Sequence, residues 1–383
     1  MKYFKLALLV GVICLMSHFY SGDRVFSQSS QSSVQLLTEP ALEKIRPLAE
    51  KPVKFTFKIL DKTGKALNNA NIHLTLLTPP RSPWLSTDFP WVEGTTLLDI
   101  SQPSKTGELQ FQQILPIRGN YTFKLEVNPL IADSFQPFQQ TLSLSVSENE
   151  IKYRNYVILL VLLLFVGFGG GWIIGAGESL QAGEVVPQRV RLLLSSAIIV
   201  TITTLLFICI TAEVGSSHSE HEHHHQSEMT HSLGDQGQIS GATIQLLGQE
   251  NATVGQLNDF QIKAINPQTQ KPISNLPLTI KANQLENNLV IFATQAKTDS
   301  QGQFRWQQQF FDGSPHELTV TVSPNISSKS QPLQIGKAIE VEAIHPPLVT
   351  RLISLSYMIF TLAIAFGLGF WLHRLRPVSA MKR

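Results

Sequence analysis

Three stretches of the chain, 156–177, 192–212 and 352–372, hold no charged side chain. Each is long enough to cross a bilayer, which takes roughly 20 apolar residues. A buried helix of a globular domain is rarely so long and so bare. The three runs divide the 383 residues into two polar blocks and leave little chain for anything else. Charged residues make up only 15%, and 30 Lys plus Arg nearly balance 28 Asp plus Glu. That balance gives no basic excess for a nucleic-acid surface, so no nucleic-acid partner is expected.

The N-terminus reads Met1-Lys2-Tyr3-Phe4-Lys5, then an apolar run from Leu6 to Met16 and a small-residue region. This is the pattern of an export signal, 1–27, with cleavage expected after Ser27 and an uncleaved anchor as the alternative. Cys14 follows Ile13, too bulky for a lipoprotein signal, and the other cysteine, Cys209, lies in an apolar run. No disulfide framework or Cys-based zinc site is expected in the polar blocks.

Arg189 and Arg191 lie between the first two spans, and Arg374, Arg376, Lys382 and Arg383 follow the third. The positive-inside rule puts both clusters in the cytoplasm. With the N-terminus outside, both polar blocks face outward: a multi-pass protein of a bacterial inner (plasma) membrane, its main domains periplasmic. Lys152, Arg154 and Arg351 fall on the outer side, against the trend.

Gly167, Gly171 and Gly175 recur every four residues and form a flat stripe on one helix face. Ala363 with Gly367, and Ala365 with Gly369, repeat the device in the last span. Such stripes let backbones approach closely, either with a membrane-protein partner or among the chain's own helices. No span holds an ionisable residue, which argues against a transporter.

Both polar blocks alternate with period two. Phe55, Phe57 and Ile59; Ile72, Leu74 and Leu76; and Tyr121, Phe123, Leu125 and Val127 mark strands in the first block. Phe260 and Ile262, Leu278 and Ile280, and Leu318, Val320 and Val322 do so in the second. Gly, Pro, Asn and Asp cluster between them. The fold class expected is all-β, two antiparallel sandwiches over 48–148 and 240–343, plus three transmembrane helices. Gly107-Glu-Leu-Gln-Phe111 parallels Gly302-Gln-Phe-Arg-Trp306, and Asn128-Pro129 parallels Ser323-Pro324 at the same offset. One module is expected to be present twice.

The run Asp61-Lys-Thr-Gly-Lys-Ala-Leu-Asn-Asn-Ala-Asn-Ile72 and the later Asp299-Ser-Gln-Gly-Gln-Phe304 carry a resemblance. They look like the prealbumin-like or Ig-like sandwich modules of exported bacterial proteins, the YtkA-like kind being nearest. The resemblance implies the fold; it also suggests metal carriage or a role accessory to metal uptake. The His and Met ligands usual in such sandwich loops are largely missing here.

The segment 78–94 is rich in proline and carries Trp84, Phe89 and Trp91. It is either a recognition loop or a cover over an open sandwich edge. Six of the 11 histidines, His218, His221, His223, His224, His225 and His231, crowd into the linker 213–234 with Met229. Neutral imidazole suits Ni, Co, Zn or Cu, so this tract is the candidate site for a divalent transition metal, though not a catalytic one; a solvated spacer or a pH-responsive tether are the other readings. No nucleophile elbow, phosphate-cradling loop or H-E-x-x-H is present, and the chain is not expected to be an enzyme. The leading expectation is an accessory to metal transport or homeostasis that binds or hands over metal. The alternative is a non-catalytic interaction scaffold or adhesion module in which the tract is a spacer.

Overall fold

The computed structural model describes residues 32–82, 86–175, 190, 192–194, 196, 234–239, 241–322, 331–345 and 347–375. The expected signal segment 1–27, most of the span 192–212 and all the nominated metal ligands lie outside them.

Alternation becomes strands where the sequence indicates. In the first half these are β1 (Ser33–Glu39), β2 (Val53–Leu60), β3 (Ala70–Leu77), β4 (Thr96–Ser104), β5 (Glu108–Gln113), β6 (Gly119–Pro129) and β7 (Phe138–Val146). In the second they are β8 (Gln236–Ile239), β9 (Ala242–Gly248), β10 (Asn251–Thr253), β11 (Leu257–Ile265) and β12 (Pro277–Gln284). β13 (Leu289–Lys297), β14 (Gln303–Gln309), β15 (His316–Val322) and β16 (Leu333–Glu342) complete it. Every second residue of β2 and β3 is buried, as a one-sided sheet requires. The strands begin before the expected boundaries: β1 precedes residue 48 and β8 precedes residue 240.

The turn motifs do what their chemistry suggests. Asp61 Oδ1 accepts from the amides of Thr63 and Lys65 at 2.7 and 2.9 Å. Asp299 Oδ1 does the same for Gln301 and Gln303, both at 2.8 Å. Gly107 and Gly302 are a matched pair at φ +69° and +68°. Each offers its carbonyl at 2.8 Å to the opposite strand, to Ile59 N–H and Ala264 N–H respectively. A Cβ at either would strike backbone, Leu67 O in one half and Ala264 O in the other. Only glycine fits.

The two halves expected as sandwiches share their sheets. One sheet runs β1-β2-β5-β13-β12-β15-β16-β10 and the other β7-β6-β3-β4-β14-β11-β9-β8. Each half has a core of three strands in one sheet (β1-β2-β5; β9-β11-β14) and four in the other (β7-β6-β3-β4; β13-β12-β15-β16), and the second half adds an edge strand to each, β8 beside β9 and β10 parallel to β16. The halves have the same strand order and join edge to edge through two seams, β5 with β13 and β4 with β14, both antiparallel. The registers agree. Phe111 faces Thr294 as Trp306 faces Ile100, and Gln113 faces Phe292 as Gln308 faces Leu98. A pseudo-two-fold relation follows, with the self-complementary contact that such symmetry produces. One apolar core, from Val34 and Phe55 to Val320 and Ile339, runs through both halves. The physical reason is the edge: strands left unpaired at a sheet margin seek a partner, and each half supplies what the other lacks.

Among the described residues two helices, not three, are long and apolar enough to cross a membrane: α1 (Glu150–Gly175) and α2 (Leu348–Arg374).

Candidate functional site

α1 follows β7 and α2 follows β16, so both helices leave the same end of the double sandwich and run parallel. Their contact is made by small residues. A Cβ on Gly167 would lie 2.6 Å from Leu362 O and 2.8 Å from Ala365 Cβ. One on Gly171 would run into Phe366 O, and one on Gly369 into Phe168 O. The stripe nominated for a partner, Gly167, Gly171 and Gly175, is therefore taken by the chain's own last helix. Of the two stripes on that helix, Ala365 and Gly369 are used, whereas Gly367 meets nothing within 4 Å.

The junction between sandwich and helices holds several polar contacts that join distant parts of the chain. Arg46 pairs with Glu150 at 3.3 Å, Arg118 with Glu148, and Lys152 with Asp88. Loop 78–94 is central to it. Trp91 Nε1–H is shared by the carbonyls of Ile344 and His345, both at 3.1 Å, just before α2. Phe89 meets Phe311 edge-on, with ring centroids 5.8 Å apart. Phe89 and Trp91 thus cover the core and bolt the first half to the second. Trp84 is outside the described residues. Glu93 ties the loop together, its Oε1 accepting from Thr87 N–H at 2.6 Å and Thr87 Oγ1 at 2.7 Å.

Beside that bolt, loop 310–315, which includes Phe311, holds a network absent from the sequence reading. His316 is 1% exposed and its Nδ1 lies 2.7 Å from Ser314 O. Its Nε2 has no hydrogen-bond partner, Asp312 Oδ1 being 3.7 Å away. Burial pushes this imidazole below its ordinary pKa, with Asp312 pulling the other way. The corresponding residue of the first half is Tyr121, whose hydroxyl donates to Ile117 O at 2.8 Å and accepts from Ile117 N–H at 3.0 Å. Gly313 packs so tightly on Ala343 that a Cβ would collide with it.

The outer face of the second sheet holds His73, with Nε2 2.8 Å from Asp99 Oδ1 and Nδ1 3.6 Å from Glu126 Oε2. The Asp99 hydrogen bond raises the His73 pKa. The two carboxylates flank opposite ring nitrogens, so they bridge the imidazole and cannot share one ion with it. Among the described residues no three His, Cys, Asp or Glu side chains gather as metal ligands. The sequence-nominated ligands His218, His221, His223, His224, His225, Met229 and His231 are outside the described residues. The candidate site that the structure itself defines is the junction.

Neither a family model nor a curated protein matches the chain. Solved structures similar to it include the D0–D1 domain of intimin, at 10% identity over 80% of this chain and 97% of that one, with a TM-score of 0.20. The Yersinia pseudotuberculosis adhesin InvE aligns at 9% identity over 82% of this chain and 61% of its own length, TM-score 0.20. Escherichia coli alpha-2-macroglobulin aligns at 11% identity over 83% of this chain but 16% of its own, TM-score 0.21. Superpositions this loose carry no argument about activity. The class, Ig-like antiparallel sandwiches with apolar helices long enough for a membrane, stands on the strand order and helix composition.

Proposed function

We propose that the chain is a membrane-anchored, non-catalytic interaction scaffold that holds a rigid double sandwich on the extracytoplasmic surface. The observation that carries this reading is the common exit of α1 and α2. If α1 crosses the bilayer, residue 175 and residue 234 lie on opposite sides, and the chain between them must cross back. The apolar run 192–212 is the segment suited to do so. The far end of the sandwich then points away from the membrane. There the β6–β7 turn exposes Leu130 and Ile131, 48% and 57% accessible, side by side. Adjacent exposed aliphatics on a polar domain suit a protein contact. The matched topology of the halves supports a duplicated module.

The test is site-specific photocrosslinking in cells from Leu130 and Ile131, with Gln139 on a sheet face as control, alongside the double substitution Leu130→Glu, Ile131→Glu. The scaffold reading expects a discrete adduct from the tip that the double substitution abolishes. A second reading, metal hand-over, rests on the histidine tract. It prevails if tip variants behave as the parent while Gln at 221, 223, 224 and 225 changes cellular Ni, Co, Zn or Cu.

A further inference from the structure

Arg81, Ser82 and Ser86 of loop 78–94 face the outer end of α2 across a cleft of about 310 Å³. Val349, Thr350, Ile353 and Ser354 line it from the helix. The two walls differ in kind. The loop wall is a guanidinium with hydroxyls. The helix wall adds the aliphatic side chains of Val349 and Ile353 beside the hydroxyls of Thr350 and Ser354. Arg81 is exposed and pairs with no carboxylate among the described residues.

The surroundings carry both signs: Glu150, Glu148 and Asp88 are matched by Arg46, Arg118 and Lys152, and Glu93 accepts from Ser86 Oγ at 3.2 Å. Lys152 and Arg154 on α1 and Arg351 on α2 ring this level, and Lys152 is the member already matched, by Asp88. These are the basic residues that contradict the positive-inside trend, so topology gives them no purpose on the outer side. A ligand that satisfies both walls needs an anionic head for Arg81 and an apolar tail for Val349 and Ile353. A free anion satisfies only the first.

We propose that this cleft seats the phosphate headgroup of an anionic phospholipid, with an acyl chain lying along the Val349–Ile353 face of α2. The bound lipid would fix how the sandwich sits on the bilayer, because Glu93 and Trp91 tie the loop bearing Arg81 into the core and to the segment before α2. The inference rests on the anchoring proposed above.

The experiment uses the full chain in nanodiscs of mixed phosphatidylglycerol and phosphatidylcholine, released into native mass spectrometry to count retained lipids. The parent is expected to retain phosphatidylglycerol in preference to phosphatidylcholine. Arg81→Ala is expected to weaken that retention about fivefold, the effect of one basic residue at a lipid surface. Arg81→Lys should recover most of it, and Lys152→Ala, at a charge already paired, should change it little. Equal retention by Arg81→Ala and the parent would overturn the proposal. So would displacement by millimolar inorganic phosphate, which would mark a free-anion site. Carbonate extraction of cell membranes separates the two levels. Release of the parent chain into the soluble fraction defeats the anchoring itself, whereas a retained chain indifferent to Arg81 defeats the lipid seat alone.

Discussion

Phe111 of the first half lies opposite Thr294 of the second, and both side chains are buried. Trp306 lies opposite Ile100 in the matching seam. The margins that each half alone would leave unpaired are thereby each other's partners, and one core crosses both seams. Cooperative unfolding of the pair follows. Phe57→Ala, a fully buried ring far from the second half in sequence, should cost about 3–5 kcal/mol. Hydrogen exchange should show amide protection falling in β12 and β15 as well as in β2 and β3. Protection lost from the first half alone would mean that the halves unfold separately.

Tyr121 closes a local loop on Ile117 with both its donor and its acceptor. Tyr121→Phe keeps the ring and strands a buried Ile117 N–H, a loss of about 1–3 kcal/mol. Urea unfolding of the full chain in detergent reads it, and an unchanged midpoint would show that the hydroxyl contributes nothing.

His316 gives the fold an acid-sensitive element. Its folded pKa is depressed by burial, so below about pH 6.5 the unfolded chain binds the proton first. The stability contribution is full above that pH and is lost as pH falls toward the folded pKa. His73 acts with the opposite sign: its folded pKa is raised by Asp99, so its contribution is full at low pH and fades as pH rises through the folded value. Being about a third exposed, His73 should matter less. Unfolding midpoints measured between about pH 7 and pH 5 should fall, and His316→Phe should flatten the slope. A slope unchanged by His316→Phe would assign it to other groups.

The helix pair depends on missing side chains. Gly171→Leu would force α1 off the Phe366 carbonyl and should cost about 1–3 kcal/mol as overpacking. Gly367→Leu, in open space on α2, should be tolerated. Thermal unfolding in detergent compares them, and equal effects would contradict the packing.

The strands and their turns were legible because alternation, Asp61, Asp299 and the two glycines Gly107 and Gly302 act locally. The close-packing stripe on α1 was legible too, though not its occupant. The seams were not. A strand that will pair with the other half carries the same alternation as one that stays at an edge, and nothing local to β5 names β13. One signal was present: Gln113 and Gln308 stand at inward positions, where an apolar residue is expected, and both are buried at matched places beside the seams. The role of loop 78–94 was open for a similar reason, since Trp91 finds its partners at Ile344 and His345, some 250 residues on. β1 escaped notice because its alternation is weak and it lies before the first strong run.

The joining of the halves is tested most directly by cysteine pairs across the seams of the full chain in its membrane. Gln112 lies opposite Ala293, and Gln307 opposite Asp99. Directly paired strand positions lie about 4.5–5.5 Å apart between Cα atoms, within disulfide reach. Gln112→Cys with Ala293→Cys, and Gln307→Cys with Asp99→Cys, should each form an intramolecular disulfide on mild oxidation. Each should be seen as a bridged peptide by mass spectrometry, with the protein running as a monomer. Free thiols in both pairs, or crosslinks only between chains, would contradict the double sandwich.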